Sequence, residues 1–494
     1  MALCGKNPMT QNIAIVGSGF LGLTLALRLT ERGDNVTLFE SANEIGGLAS
    51  AWKIGDFTWD KHYHVTLASD ANTRKIVQEL GLGDEFNWVE TKTGFYTDGE
   101  LVSMSDTREF LRFPPLDFIS KLRLGATIFF ASRVKDWKSL EKISVERWLT
   151  KLSGKKTFDK IWRPLLKAKL GEAYKETSAA FIWATIQRMY AARNSGLKKE
   201  MFGYVSGGYA RVLERFGEVL TEKGVELRLN SRVEEVEKLA DGKLQVHTAA
   251  TRRRSDAKSR VMPHKAKYSD VKTAVTVATG FSGGFLSEPS LPPYRRMQSE
   301  SNTFDKVILT CPSNIAAKMV PQISTAEKTA LENIRYQGIV CASVVMKCSL
   351  SKYYVTNITD EAPFTGVIEM SALVDKKEFG RNALIYLPKY VGPDDELFDK
   401  SDDEIERIFL NGLEKMYPHF RRKDVLAFKV SRVRQVFPLP VLNYSRDLPD
   451  KKTSIDGLYI VNSSHIVNGT LNVNETVALA ERFFQKEFTS LTKT

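Results

Sequence analysis

Three glycines and one carboxylate give this chain its first chemical possibility. Gly17, Gly19 and Gly22 follow the apolar run Ile13-Ala-Ile-Val16, with Ser18, Phe20 and Leu21 between them, and Glu40 stands eighteen residues after Gly22. Gly17 permits a tight turn, Gly19 lets backbone approach a pyrophosphate, and Gly22 lets a helix pack closely on its strand. A helix start presents free N–H groups and partial positive charge to phosphate. A carboxylate at the end of the following strand accepts hydrogen bonds from a ribose. Ser41 follows that acid, and Gly46-Gly47-Leu48 begins six residues after it. This pattern predicts a bound dinucleotide, although the acid alone does not separate NAD from FAD, since both carry an adenosine ribose.

Placing these residues requires a strand–helix–strand unit. Ile13–Val16 reads as a buried strand, and Phe20–Arg32 reads as a helix with Leu21, Leu25 and Leu29 on one face. Asn35–Phe39 reads as the second strand, ending at Glu40. Three later segments extend the pattern. Gly207-Gly208 opens a helical stretch to Leu220, followed by the strand that holds Val233. Asp305–Leu309 is an apolar strand leading to Pro312, and Gly457–Val461 is another that leads to Asn462-Ser463. Asn472, with Glu475 three residues on, is an N-cap signature for a last helix whose stripe is Val473, Val477, Ala480 and Phe484.

Taken together, these segments resemble the flavin amine oxidase superfamily, which includes protoporphyrinogen oxidases and phytoene-type desaturases, with features similar to UDP-galactopyranose mutase. The resemblance implies FAD, held by Gly17, Ser18, Gly19, Phe20, Leu21, Gly22, Glu40, Ser41, Gly46, Gly47 and Leu48. It places Val233 beside the adenine and puts Asn462, Asn472 and Val473 where the chain closes over the flavin. Two positions depart from the family pattern: Leu48 stands where Arg is usual, and Asn462-Ser463 replaces Gly followed by an acid. The implied fold is α/β: a discontinuous Rossmann-like FAD-binding domain (1–95, 200–312 and 450–494, with a basic insertion at 249–303). A second, α+β substrate domain with a helical cap would comprise 96–199 and 313–449.

The implied activity is removal of a hydride from a C–H bond beside nitrogen or in an allylic position. The expected substrate is hydrophobic, such as a polyprenoid or tetrapyrrole, and an acceptor such as oxygen or a quinone takes the electrons. A redox-neutral flavoenzyme acting on a nucleotide sugar and a non-catalytic flavin-binding scaffold are the alternatives. In Asp60-Lys-His62-Tyr-His64, His62 is the candidate proton acceptor and His64 a candidate hydrogen-bond partner of flavin or substrate, because imidazole titrates near neutrality. Strand alternation would put both on one face, and a purely structural pair is the other reading. Arg163–Lys169, Tyr386, Lys389 and Tyr390 are further candidates for the substrate cavity, with Lys389 as a lysine holding water near the ring.

Composition bounds the rest. With 494 residues, 43% of them hydrophobic, the chain can bury a large core. Four cysteines, at 4, 311, 341 and 348, form no Cys-x-x-Cys, and the histidines are scattered apart from His62 and His64, so no metal site is expected. The net charge of +12 is concentrated partly in Thr251–Lys267, read as a solvated loop or a site for an anionic partner. No nucleic acid is expected, for want of any binding motif or stacking aromatics. The N-terminus has no apolar signal core, so a cytoplasmic protein is expected. Residues 110–138 mix apolar, aromatic and basic side chains. That pattern suits a peripheral helix on a bilayer surface, a helix lining a hydrophobic tunnel, or ordinary core packing.

Overall fold

The computed structural model describes residues 10–194, 201–249 and 302–489. Its first sheet is parallel, in the order Glu226–Arg228, Asn35–Phe39, Asn12–Val16, Lys306–Leu309, Leu458–Ile460. Strands buried on both faces need apolar residues at successive positions, and Ile13 to Val16 supply them. Ile13 and Ile15 face one core, beside helices Phe20–Arg32, Gly208–Glu222 and Val473–Phe488. Ala14 and Val16 face the other. That second core lies under a three-stranded antiparallel layer, Val233–Lys238, Leu244–Thr248 and Thr303–Phe304, and under helices Ser313–Met319 and Thr325–Glu332.

The expected basic insertion lies outside the described residues from 250 to 301, as does Thr251–Lys267. Its two ends are fixed, because Leu244–Thr248 and Thr303–Phe304 pair antiparallel with Leu244 opposite Phe304.

A seven-stranded sheet forms the second body, in the order Val425–Pro438, Tyr336–Met346, Ala383–Val391, Gly366–Glu369, Val355–Ile358, Thr93–Thr97, Glu100–Ser103. All eleven residues of Tyr336–Met346 are buried. One face of this sheet packs on helix Asp402–Met416, the other on a helical cap that includes Phe118–Arg133, Val145–Ser153, Arg163–Leu170 and Ala179–Asn194. The helical cap expected over the second domain is therefore present.

One local expectation fails. Strand Phe57–Asp60 stops at Asp60, and Lys61–Val65 has no regular structure, so His62 and His64 do not alternate along a strand. The turn begins where the Asp60 carboxylate leaves the two-stranded ladder to accept from the backbone N–H of Tyr209, at the start of helix Gly208–Glu222.

Candidate active site

The glycine turn is built by close approach of backbone to backbone. Gly17 has φ +107°, and a Cβ there would lie 2.5 Å from Thr310 Oγ1. A Cβ on Gly22 would lie 2.0 Å from the Gly17 carbonyl oxygen, so only glycine lets the helix start this close to the turn. Gly19 is different: a Cβ there would meet nothing within 4 Å. Open space lies over Gly19, at the N-cap of helix Phe20–Arg32, where no side chain caps the first N–H groups. Unsatisfied donors beside open space fit an anionic diphosphate.

The double glycine folds against the same point. The Gly46 N–H donates to the Ser18 carbonyl at 2.9 Å, Gly46 has φ +118°, and a Cβ on Gly47 would sit 3.3 Å from Gly19 Cα. Leu48 follows and is partly exposed. Glu40, at the end of Asn35–Phe39, accepts from the Ser18 N–H at 3.0 Å and from Ser18 Oγ at 2.7 Å. Its other oxygen accepts from Ser41 Oγ and the Ala42 N–H. Phe20 and Leu21 are buried beneath the turn and orient the helix rather than facing the open space.

A second helix start lies on the same side. Asn472 Oδ1 accepts from the Glu475 N–H at 3.0 Å, giving Val473–Phe488 the expected N-cap. Arg28 pairs with Glu481 at 2.7 Å, and Arg32 donates to the Phe488 carbonyl. The two helices therefore run parallel, and Phe20 and Val473 each lie eight residues before the Arg28–Glu481 pair. Two positive helix ends stand together at the edge where the parallel strands finish. At that edge the Asn462 side chain is buried, donating to the Cys311 carbonyl and accepting from the Ser464 N–H. Val233, buried at the start of its strand, packs in the core with Phe39 and Phe304.

The two histidines diverge. His62 Nδ1 lies 3.2 Å from the Leu48 carbonyl, and Nε2 lies 3.1 Å from Ser431 Oγ. A carbonyl only accepts, so Nδ1 carries the proton and Nε2 accepts from the serine hydroxyl. Burial, then the neighbouring His64, holds this imidazole down at about 4. It is a neutral clamp between the double-glycine segment and the long strand Val425–Pro438. His64 turns the other way, its ring 5.3 Å from that of Tyr209 and its Nδ1 3.7 Å from the Asp60 carboxylate. Burial raises the Asp60 pKa against the opposing pull of His64.

Aromatic side chains make a wall on the cap face of the seven-stranded sheet. The Tyr63 and Tyr390 hydroxyls are 2.9 Å apart, and burial pushes the Tyr63 phenol up to about 12. Tyr390 stacks edge-on to Phe437, and Phe437 with Phe181, Tyr444 and Leu471 lines a cavity that reaches the segment before Val473. Lys169 Nζ sits 3.5 Å from the Tyr390 ring centroid and 5.2 Å from that of Phe437. Lys389 does not join them: strand alternation sends it to the opposite face with Leu387 and Val391, and it donates to the Ala362 carbonyl. Tyr386 is buried and donates to the Asp60 carbonyl, and Arg163 pairs with Asp159. Sequence reasoning missed Ser431, Phe437 and Tyr444, because they join this region through segments far off in the chain, at His62, Lys169 and Phe181, and no local pattern marks them. No cluster of metal-ligating side chains occurs among the described residues.

Comparison with known proteins bears on this geometry. The family described as Flavin containing amine oxidoreductase matches residues 22–262 and 294–472. A probable zeta-carotene desaturase of Synechococcus elongatus is 21% identical over 485 residues, covering 91% of this chain and 93% of that protein. The zeta-carotene desaturase of Synechocystis sp. is 25% identical over 259 residues, 47% of this chain and 52% of that relative, so the chain spans about half of it. Among solved structures, a putative protoporphyrinogen oxidase from Exiguobacterium sp. superposes with a TM-score of 0.67 at 17% identity, covering 96% of this chain and 98% of that one.

Proposed function

The chain belongs to the flavin containing amine oxidoreductases, FAD-dependent enzymes, and from that premise we propose that it removes a hydride from a C–H bond of a hydrophobic substrate such as a polyprenoid or tetrapyrrole. The observation that carries this reading is the pairing of an uncapped glycine cradle with a cavity walled by Phe437, Phe181 and Tyr444. Bound FAD supplies a two-electron acceptor for the hydride, and oxygen or a quinone takes the electrons onward. In this reading the first N–H groups of Phe20–Arg32 and the backbone of Gly46-Gly47 hold the diphosphate. Glu40 exchanges its serine partners for the ribose, and Val233 supports the adenine. The start of Val473–Phe488, capped by Asn472, lends positive charge to the redox end, while Asn462 fixes the strand ends beside it.

His62 positions the double-glycine segment. With its Nε2 already accepting from Ser431 it is poorly placed as a free proton acceptor, and His64 shapes the Asp60–Tyr209 cluster in the same way. Tyr63, Tyr390 and Phe437 exclude water from the reacting bond. We further place the division between the two bodies before Thr93, since strand Thr93–Thr97 pairs with Val355–Ile358, and after Glu332, since helix Ser313–Met319 packs with the parallel sheet.

An apolar substrate has to leave its membrane, and one surface suits that task. Helix Phe118–Arg133 exposes Phe118, Ile119, Leu122, Phe129 and Phe130, each at least half accessible, with Arg112, Arg133, Lys135 and Lys138 exposed around them. Apolar side chains ringed by cations fit the surface of an anionic bilayer. No described helix is long and apolar enough to cross one. Anaerobic mixing of the FAD-loaded protein with polyprenoid and tetrapyrrole substrates tests the reaction. Bleaching of the flavin by substrate alone is expected. Turnover that requires prior reduction and leaves no net redox change would overturn the reading in favour of redox-neutral chemistry. Sedimentation with anionic vesicles tests the surface, with Phe118→Ser/Ile119→Ser expected to abolish it.

A further inference from the structure

Glu141 follows the short helix Trp137–Leu140 and is 5% exposed, on the wall of the cavity that Phe181, Phe437 and Tyr444 share. One carboxylate oxygen accepts from the Ser445 N–H at 3.1 Å and the other from Ser445 Oγ, so each keeps a lone pair open. No ion pair reaches Glu141 among the described residues, although other acids of the cap are matched: Glu176 to Arg335, and Glu172 to Lys167 and Lys175. No Lys, Arg or His lines this cavity among the described residues. The Tyr444 hydroxyl on the same wall donates to the Ser464 carbonyl instead. The cavity therefore sets one acceptor-only charge against apolar and aromatic side chains. A buried carboxylate with open lone pairs is stabilised by a further donor.

We propose that Glu141 is a specificity-determining residue that accepts a hydrogen bond from the hydroxyl end of an uncharged, apolar substrate. The inference rests on the substrate reading above and narrows it, favouring an isoprenoid alcohol over an anionic tetrapyrrole. A pure hydrocarbon offers the carboxylate no donor. A substrate carboxylate or phosphate would face like charge, with no cation in the lining to offset it. An ammonium would match the charge, but it sheds more hydration than a hydroxyl does. It must also approach a cap that exposes Arg112, Arg133, Lys135 and Lys138, on a chain of net charge +12. A hydroxyl supplies one donor at a smaller desolvation cost, and its apolar chain covers Phe181 and Phe437. A neutral donor on a carboxylate in a dry site separates an alcohol from its methyl ether about tenfold.

The test compares farnesol with farnesyl methyl ether, farnesoate and farnesylamine, below their aggregation thresholds, on the FAD-loaded full chain. Binding is read by calorimetry and by perturbation of the flavin spectrum. The wild type is expected to bind the alcohol about tenfold more tightly than the ether, and more tightly than the acid or the amine. Glu141→Gln keeps the shape and gives up the charge. It should bring alcohol and ether within about twofold and relieve the discrimination against the acid, with the ether's own affinity held within about twofold. The wild-type comparison decides by itself, whatever the stability of Glu141→Gln. Equal binding of alcohol and ether by the wild type, equal weakening of both by Glu141→Gln, or tightest binding of the acid or the amine overturns the inference and leaves the apolar-substrate reading intact. Failure of all four to bind overturns that reading and the inference with it.

Discussion

The cradle at Gly17–Gly22 is made of backbone supplied by neighbours in the chain, whereas the wall around Lys169 is made of side chains brought from positions 63, 169, 390 and 437. The difference shows in what each tolerates. The cradle depends on the absence of atoms: a Cβ on Gly22 would stand 2.0 Å from a carbonyl oxygen. The wall depends on their presence, through rings and hydroxyls that pack together and shed water. Backbone geometry recognises what every dinucleotide shares, and side-chain geometry selects one substrate from many.

That contrast can be broken at several points, beginning with the largest expected effect. Gly22→Ala should cost about 3 kcal/mol and empty the protein of FAD, because the helix must move away from the turn. Chemical denaturation and the flavin-to-protein ratio measure both. Next comes acid. His62 is held at about 4 against 6.5 when free, so the unfolded chain binds a proton through that window and the folded chain does not. Stability contributed by His62 is complete above 6.5 and declines as pH falls toward about 4, by at most about 1.4 kcal/mol per pH unit. His465, also lowered to about 4 by burial, adds a like slope. A His62→Gln variant should show a shallower decline than wild type in urea titrations across that range. Because His62 ties Leu48 to Ser431, an unchanged slope would mean that the clamp joining the two regions does not hold.

Gly19→Ala sharpens the cradle itself. With φ −67° and nothing within 4 Å of the added methyl, the melting temperature should be unchanged while FAD binds about tenfold more weakly. If Gly19→Ala destabilised the fold as Gly22→Ala does, the open space would be structural and no diphosphate site. The smallest effect is expected at the wall. Tyr63→Phe removes the hydroxyl pair with Tyr390, at about 1 kcal/mol of stability. It should raise the KM for substrate and leave FAD content alone.

Much of the nucleotide half could be read directly from the chain. Ile13 to Val16, the glycine spacing, Glu40 and the Asn472 cap all act within a few residues of one another, so their order in sequence is their order in space. The Gly46-Gly47 pair was recognisable by its likeness to a family, and its contact with Gly19 is the physical reason for that likeness. The pairing of His62 with His64 was read wrongly in its geometry. A short apolar strand does not announce where it stops, and the strand ends at Asp60 because the carboxylate has a helix to cap more than a hundred residues away.

Lys169 and Lys389 mark the boundary between what sequence and structure each decide. Both are candidate lysines in the sequence, yet strand alternation and cap packing put one against the Tyr390 and Phe437 rings and the other on the far face. By itself, the sequence determined what local backbone geometry and periodicity can encode: the parallel strands, the glycine turn and the helix starts. Only tertiary structure decided which side chains share a cavity and which charges go unpaired. Both depend on contacts between distant segments, whose register is chosen by burial across the whole fold.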